Sequence, residues 1–390
     1  MIEYEKLIKQ YGTPLYIFDE SELMRRITYL QSRLPDDTGL CYAVKANTFI
    51  CESAAQLVQR LEVCSEGEAE ICLKLGILPE KLVISGVYKN PQFIEKMFSD
   101  FSAKGIYTIE STEQARMLVG LAEKYSLKPN VLIRITGGNQ FGLDRGEALR
   151  IAAECCGKLN INGIQFYSGT QKTSLKKIRR ELEMLDGFIE KLRDESGIDA
   201  CELEYGAGFP VNYFTDSEFD ENAYLAEFSE LFGGMRFGGK KFIELGRSIA
   251  ASCGSYVTKI VDIKRTGGQT YAITDGGINH IAYYGQSLAM RIPELKIFPE
   301  RDGEPESVNV CGALCTVNDI LVKQLPVKNP QIGDAIAFLN AGAYCATEGI
   351  SLFLSRCLPL VLMLCTDGKI RILRNFTETS AINAPQKRKD

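Results

Sequence analysis

Apolar and polar positions alternate regularly over the first 250 residues. Short apolar runs fall at 40–44, 61–63, 81–86, 106–110, 131–136, 161–169, 201–209 and 242–246. Each has the length of a strand, and amphipathic stretches at helical spacing separate them. Helix starts are marked as well. Ser111 precedes Thr112 and Glu113 and an apolar face at Met117, Leu118 and Leu121. Ser174 opens a long charged helix to about Arg193, and Ser217 another to about Leu231. Eight strands alternating with helices predict an α/β fold, a (β/α)8 TIM barrel; an open doubly wound sheet is the alternative. After Ser248 the texture changes. Residues 256–264, the turn Arg265-Thr-Gly-Gly268 and residues 269–274 read as a hairpin, with further short strands to about Leu373. The expected organisation is a barrel over 25–250 and a β-rich domain from 1–24 plus 251–373. The mostly polar stretch 374–390 is expected to be disordered.

Composition narrows the function classes. The chain has 390 residues, 45 Lys and Arg against 50 Asp and Glu, for a net charge of −5. No basic block is present, which argues against a nucleic-acid partner. The opening MIEYEKLIKQYGTP is charged throughout and does not read as a signal peptide. The longest strongly apolar run, 358–365, falls short of the ~18 residues of a membrane helix. A soluble, cytoplasmic protein is expected. Its thirteen cysteines are odd in number and lack a framework spacing, as free thiols in a reducing compartment would. His280 is the only histidine, so a histidine-rich metal site is excluded and no metal is expected. A Ser–His–Asp arrangement would have to use His280, and no G-x-S-x-G elbow accompanies it. Acid–base chemistry near neutral pH then points to a cofactor.

In a barrel of this kind, side chains just past the C-terminal strand ends line the active site. Lys45 stands there after the first strand, in CYAVKAN. It is either a solvated lysine or an amine desolvated enough to form a Schiff base. The sixth strand ends in Phe166-Tyr-Ser-Gly-Thr-Gln171, the seventh in Glu204-Tyr-Gly-Ala-Gly-Phe-Pro210, the eighth in Ile243-Glu-Leu-Gly-Arg-Ser248. Each glycine cluster alone reads as a tight turn. Together, with the fork-shaped cation of Arg247, they suit phosphate oxygens. A lysine beside three phosphate-suited turns asks for a phosphorylated aldehyde, pyridoxal 5'-phosphate.

These motifs resemble the fold-type III pyridoxal-phosphate decarboxylases, the group of diaminopimelate and ornithine decarboxylases. The resemblance runs from YGTPLYIFD to the AGAY ending at Tyr344. It implies an alanine racemase-like barrel with a C-terminal β domain. YAVKAN resembles the cofactor-lysine motif, which makes Lys45 the Schiff-base residue. YGAGFP and ELGRS resemble the phosphate-loop motifs, placing Gly206, Gly208, Gly246 and Arg247 at the phosphate and Glu244 at the pyridine nitrogen. Tyr167 stands where the family usually stacks a histidine on the cofactor ring. Thr170 and Tyr344 match further phosphate contacts, and Glu62 and Glu68 match acidic positions near the lysine. CGALCTVND resembles the catalytic-cysteine motif, so Cys315 would donate a proton to Cα after CO2 leaves, acting from the partner subunit of a homodimer with shared sites.

Departures from the family bear on the substrate. The acidic residue that follows the cysteine in ornithine and diaminopimelate decarboxylases is Thr316 here. DGGINHIAYYGQ lacks the usual arginine-proline segment, and the longer stretch DGGINHIAYYGQSLAMRIP instead resembles a biosynthetic branch that includes decarboxylases of aminoacyl groups tethered to a carrier protein, and others of unassigned substrate. In that branch Arg291 matches a recurring arginine and is a candidate substrate contact, with Thr316. The expected substrate is an amino acid or a carrier-tethered aminoacyl group. Alternatives are diaminopimelate or another free basic amino acid, a racemase, a non-catalytic pyridoxal-phosphate binding protein, or a cofactor-free aldolase using Lys45.

Overall fold

The computed structural model describes residues 2–385. Strand β1 (Leu15–Asp19) comes first. Eight strands follow: β2 (Thr38–Ala43), β3 (Arg60–Val63), β4 (Leu82–Ile84), β5 (Ile106–Ile109), β6 (Asn130–Ile135), β7 (Asn160–Tyr167), β8 (Glu202–Gly206) and β9 (Lys240–Leu245). The remainder are β10 (Gly254–Thr266), β11 (Gln269–Thr274), β12 (Leu295–Phe298), β13 (Pro305–Cys311), β14 (Ile320–Lys328), β15 (Ala335–Phe338), β16 (Leu360–Leu364) and β17 (Ile370–Arg374).

Strands β2 to β9 close into a parallel barrel in chain order, β9 returning to β2. These are the eight apolar runs of the sequence, and a closed barrel removes the edges that an open sheet would leave. Helices follow the strands as the capping signals direct. Ser111 accepts from the Gln114 amide at the start of Thr112–Tyr125, and Ser174 from the Lys177 amide at the start of Leu175–Ser196. The next helix, Glu221–Gly233, begins later than Ser217. Asp220 caps it by accepting from the Ala223 amide, while the Ser217 hydroxyl accepts from Arg291.

The second unit contains the residues up to Leu23, Asn212–Phe219 and those from Ala250 onward. The inclusion of 212–219 departs from the expected boundaries. That segment follows the β8 turn and returns to the barrel unit at Asp220. The sheet order is β14-β13-β11-β10-β1-β16-β17, with β15 paired to β10 and β12. The N-terminal strand β1 therefore lies inside the sheet, antiparallel to β10 and parallel to β16. Leu15 and Ile17 pack with Leu7, Val257, Ala337 and Leu362 in one apolar core. The β10–β11 hairpin turns at Gly267 and Gly268, whose φ values of 58° and 73° suit a two-residue turn open to glycine. The expected disorder from 374 is not what residues 374–385 show. Leu358 pairs with Thr377, and Asn383 donates to the Leu352 carbonyl. The QKRKD end, 386–390, lies outside the described residues. Among the described residues, no helix is long and apolar enough to cross a membrane.

Candidate active site

Strand register brings the barrel residues together. Tyr167 on β7 pairs with Gly206 on β8, Gly206 with Glu244 on β9, and Glu244 with Cys41 on β2. Ala43, also on β2, pairs with Glu62 on β3. Lys45 follows β2 by two residues, on a single 3-10 turn, so it stands between the two carboxylates. Its Nζ bonds Glu62 and lies 3.3 Å from Glu244 Oε1. Gly206 is required at its place: a Cβ there would collide with the Tyr167 ring.

The electrostatics separate the two carboxylates. Burial alone would raise Glu62, but its bond to Lys45 overrides this and holds it low. Burial, reinforced by the Glu62 charge, raises Glu244. One lysine cannot neutralise both, and the second carboxyl keeps its proton near neutral pH. A level deeper, Glu204 accepts from Gln165 and is pushed up to about 7 by burial. Cys64 Sγ sits 3.7 Å from Lys45 Nζ, and burial followed by the Glu62 charge raises its thiol.

Glu68, the second acidic residue considered with Lys45, does something else. Its amide donates to Ser65 Oγ, and its Oε2 accepts from the Cys64 amide at 2.7 Å. It is a capping residue for the helix Glu66–Lys74.

The three glycine turns converge beyond β7, β8 and β9. Arg247 Nε donates to Thr170 Oγ1 at 3.1 Å, joining the β9 turn to the β7 turn. Gly208, at φ 61°, is where a Cβ would collide with the Gly169 carbonyl, so these two turns touch backbone to backbone. Ser248, in the Arg247 turn, has a buried hydroxyl with no hydrogen-bond partner among the described residues.

The remaining candidates lie in the sheet unit. Cys315 is exposed on the loop between β13 and β14. That loop is pinned by Asp319, which sequence reasoning missed. The buried Asp319 carboxylate accepts from the Ile278 amide at 2.9 Å and the Leu314 amide at 2.7 Å. Both Gly277 and Gly312 are crowded against it. A short acidic residue between glycine-containing loops was the available signal. Thr316 is half-buried, and its hydroxyl accepts from the Asn318 amide at 3.4 Å. Tyr344 sits at φ 65°, a left-handed conformation uncommon for a bulky residue, and its carbonyl accepts from the Thr347 and Glu348 amides. Arg291 does not present an open fork. Its guanidinium stacks on Phe214 at 4.1 Å, pairs with Asp216 at 2.6 Å, and donates to Ser217.

A parallel barrel with a lysine between carboxylates at its strand ends, plus a separate sheet unit, defines a cofactor-carrying barrel enzyme. Residues 15–342 match the family model described as pyridoxal-dependent decarboxylase, C-terminal sheet domain. The chain belongs to this family. It is 28% identical to an L-glutamyl-[BtrI acyl-carrier protein] decarboxylase of Niallia circulans, over 98% of this chain and 96% of that protein. It is 27% identical to the diaminopimelate decarboxylase of Aquifex aeolicus, over 88% of this chain and 84% of that one. The structure of Helicobacter pylori diaminopimelate decarboxylase complexed with L-lysine superposes with a TM-score of 0.85 at 25% identity, covering 97% and 98% of the two chains.

The protein is therefore a pyridoxal-phosphate-dependent decarboxylase of fold type III, and the racemase, binding-protein and aldolase alternatives fall. The residues present fit the cofactor. Lys45 offers an amine, Glu244 a buried carboxyl 3.3 Å away, and the glycine turns a cradle bordered by Arg247 and the orphaned Ser248 hydroxyl.

Proposed function

We propose that this enzyme decarboxylates an aminoacyl group with a neutral distal end, carried as a thioester on a carrier protein, with Lys45 as the cofactor-bearing residue. One observation supports the residue assignment above the rest: the register that sets Lys45 Nζ between Glu62 and Glu244. Bound pyridoxal phosphate supplies the electron sink for the pair left at Cα when CO2 departs. Glu244 would hold a proton at the pyridine nitrogen, as its buried carboxyl favours. Glu62 would hold the proton on Lys45 Nζ when that amine is released. Tyr167 would stack on the ring, while Thr170, Gly206, Gly208, Gly246 and Arg247 would hold the phosphate. Cys315 would return a proton to Cα, and Tyr344 would add a phosphate contact.

Both sheet-unit residues are proposed to act on the barrel of a second copy, in a homodimer. Their setting favours a covering surface. Val317, two residues from Cys315, is 89% exposed, and Leu288, 62% exposed, lines a pocket with Asn318 of the same loop. A cytoplasmic location is proposed from the cysteine usage.

The Cys315 loop also bears on the substrate. Thr316 follows the cysteine, and the loop's one carboxylate, Asp319, is taken by two backbone amides. No carboxylate of this loop is left to read a distal ammonium. Arg291 is proposed to fix the 212–219 segment through Asp216 rather than to bind substrate. A panel of free diaminopimelate, ornithine, lysine and glutamate against carrier-loaded aminoacyl groups, scored by CO2 release, tests the reading. Turnover is expected with a tethered, neutral-ended group. A larger kcat/KM on diaminopimelate would overturn the substrate assignment and restore the free basic amino-acid decarboxylase.

A further inference from the structure

We propose that Gln171 and Lys172 form a latch that fixes the spacing of the β7 and β8 turns, and thereby the enzyme's preference for a phosphorylated ligand. The inference rests on the reading that those turns hold the cofactor's phosphate.

The β7–β8 ladder ends at Tyr167 and Gly206. Beyond it the parallel pairing stops, and the turns 168–172 and 206–211 would be free to separate. Gln171 and Lys172 continue the join. Gln171 Oε1 accepts from the Val211 amide at 2.7 Å, and its Nε2 donates to the Val211 carbonyl at 3.0 Å. This two-point pairing holds a residue whose φ of 53° is in the left-handed region. The Lys172 amide donates to the Gly208 carbonyl at 2.9 Å.

The Lys172 side chain then crosses beneath both turns, 4% exposed. Its Nζ donates to Gly206 O at 3.1 Å and Tyr205 OH at 3.1 Å on one side, and Ser168 Oγ at 3.2 Å on the other. Glu181, from the helix Leu175–Ser196, balances the charge at 3.0 Å. The same carboxylate accepts from Ser168 Oγ at 2.5 Å and Tyr205 OH at 2.6 Å. An ammonium buried this deeply persists only when fully paired, and each pairing here ends on one of the two turns or their anchor. Amides from two separate turns can serve one anion only while their separation is held, so the latch preorganises an anion cradle.

The test uses full-length apoenzyme titrated with pyridoxal 5'-phosphate and, separately, with pyridoxal, followed by visible absorbance. Wild type is expected to favour the phosphorylated ligand. In Lys172→Met that affinity should fall about tenfold or more, and in Gln171→Leu several-fold, with pyridoxal affinity unchanged in both. A folded variant, judged by circular dichroism and melting, that keeps the wild-type ratio of the two affinities would overturn the latch. So would equal loss of both ligands, which marks a merely structural role. If Lys172→Met does not fold, the uncharged, half-buried Gln171 position decides. A wild type without preference for the phosphorylated ligand would overturn the phosphate reading of the turns, and the latch with it.

Discussion

The barrel mouth and the Cys315 loop hold their chemistry in opposite ways. At the mouth, Lys45, Glu62 and Glu244 bond one another and the carboxylates are buried. Their pairing is set by strand register, the least deformable feature of a closed barrel. On the loop between β13 and β14, the backbone is pinned by the buried Asp319, while Cys315 and Val317 are exposed. One region is complete in its electrostatics. The other is fixed in position but displays its thiol. On the proposed role of Cys315, a proton donor to Cα would need shielding from water, and the difference teaches where the proposed second copy would have to supply it.

The largest effects should arise at the mouth, and they should divide. Lys45→Ala is expected to lose the visible absorbance of bound cofactor and to cut turnover roughly 10³-fold or more. Glu244→Gln should keep the cofactor while slowing CO2 release about 100-fold or more, because an amide has no carboxyl proton to pass to the pyridine nitrogen. Spectra and single-turnover CO2 release on the two variants check this split. Unchanged turnover in Glu244→Gln would mean that the pyridine nitrogen is not what its buried carboxyl serves.

A smaller, recoverable effect tests the loop. Lys45→Ala and Cys315→Ala proteins should each be inactive, and mixing them under subunit exchange should restore activity to at most about a quarter of wild type. Random exchange makes about half the dimers mixed, each with one intact site out of two. No recovery despite demonstrated exchange would assign both residues to one subunit's site and leave the exposure of Cys315 without a partner to explain it.

The same contrast governs what was legible in the sequence. The eight barrel strands could be read because parallel strands buried on both faces are written as apolar runs; Lys45, Glu244 and the glycine turns could be proposed as the site because they stand at those strand ends. Glu68 was ambiguous because a helix cap and a site carboxylate look alike in a string; only its bond to the Cys64 amide separates them. Arg291 was ambiguous for a related reason. Its partners Asp216 and Phe214 lie about 75 positions away, beyond any local pattern. Gln171 and Lys172 act through backbone groups of a neighbouring turn, and the sequence carries no signature for such bonds; for Asp319 the glycines of the two loops it joins were the one signal.

The smallest expected effect concerns stability, and it again separates the two regions. The chain's one histidine, His280, lies in the sheet unit and none lies in the barrel. It is 4% exposed, with Nδ1 3.1 Å from Tyr256 OH and Nε2 2.9 Å from the Cys357 carbonyl. The carbonyl can only accept, so Nε2 carries the proton and Nδ1 accepts from the tyrosine. Burial lowers the pKa from 6.5 to about 4, despite the bond to Cys357. The folded state therefore binds this proton less readily than the unfolded chain. His280 contributes its stability in full above pH 6.5, and loses it progressively as pH falls toward 4, by about 3 kcal/mol at most. Urea unfolding of wild type and His280→Gln between pH 7.5 and 4, from about one unit above this window down to its lower edge, should show the wild type losing more stability across it. Carboxylates common to both proteins cancel in that difference. Parallel losses would mean that His280 already reaches water, or is protonated, in the native sheet.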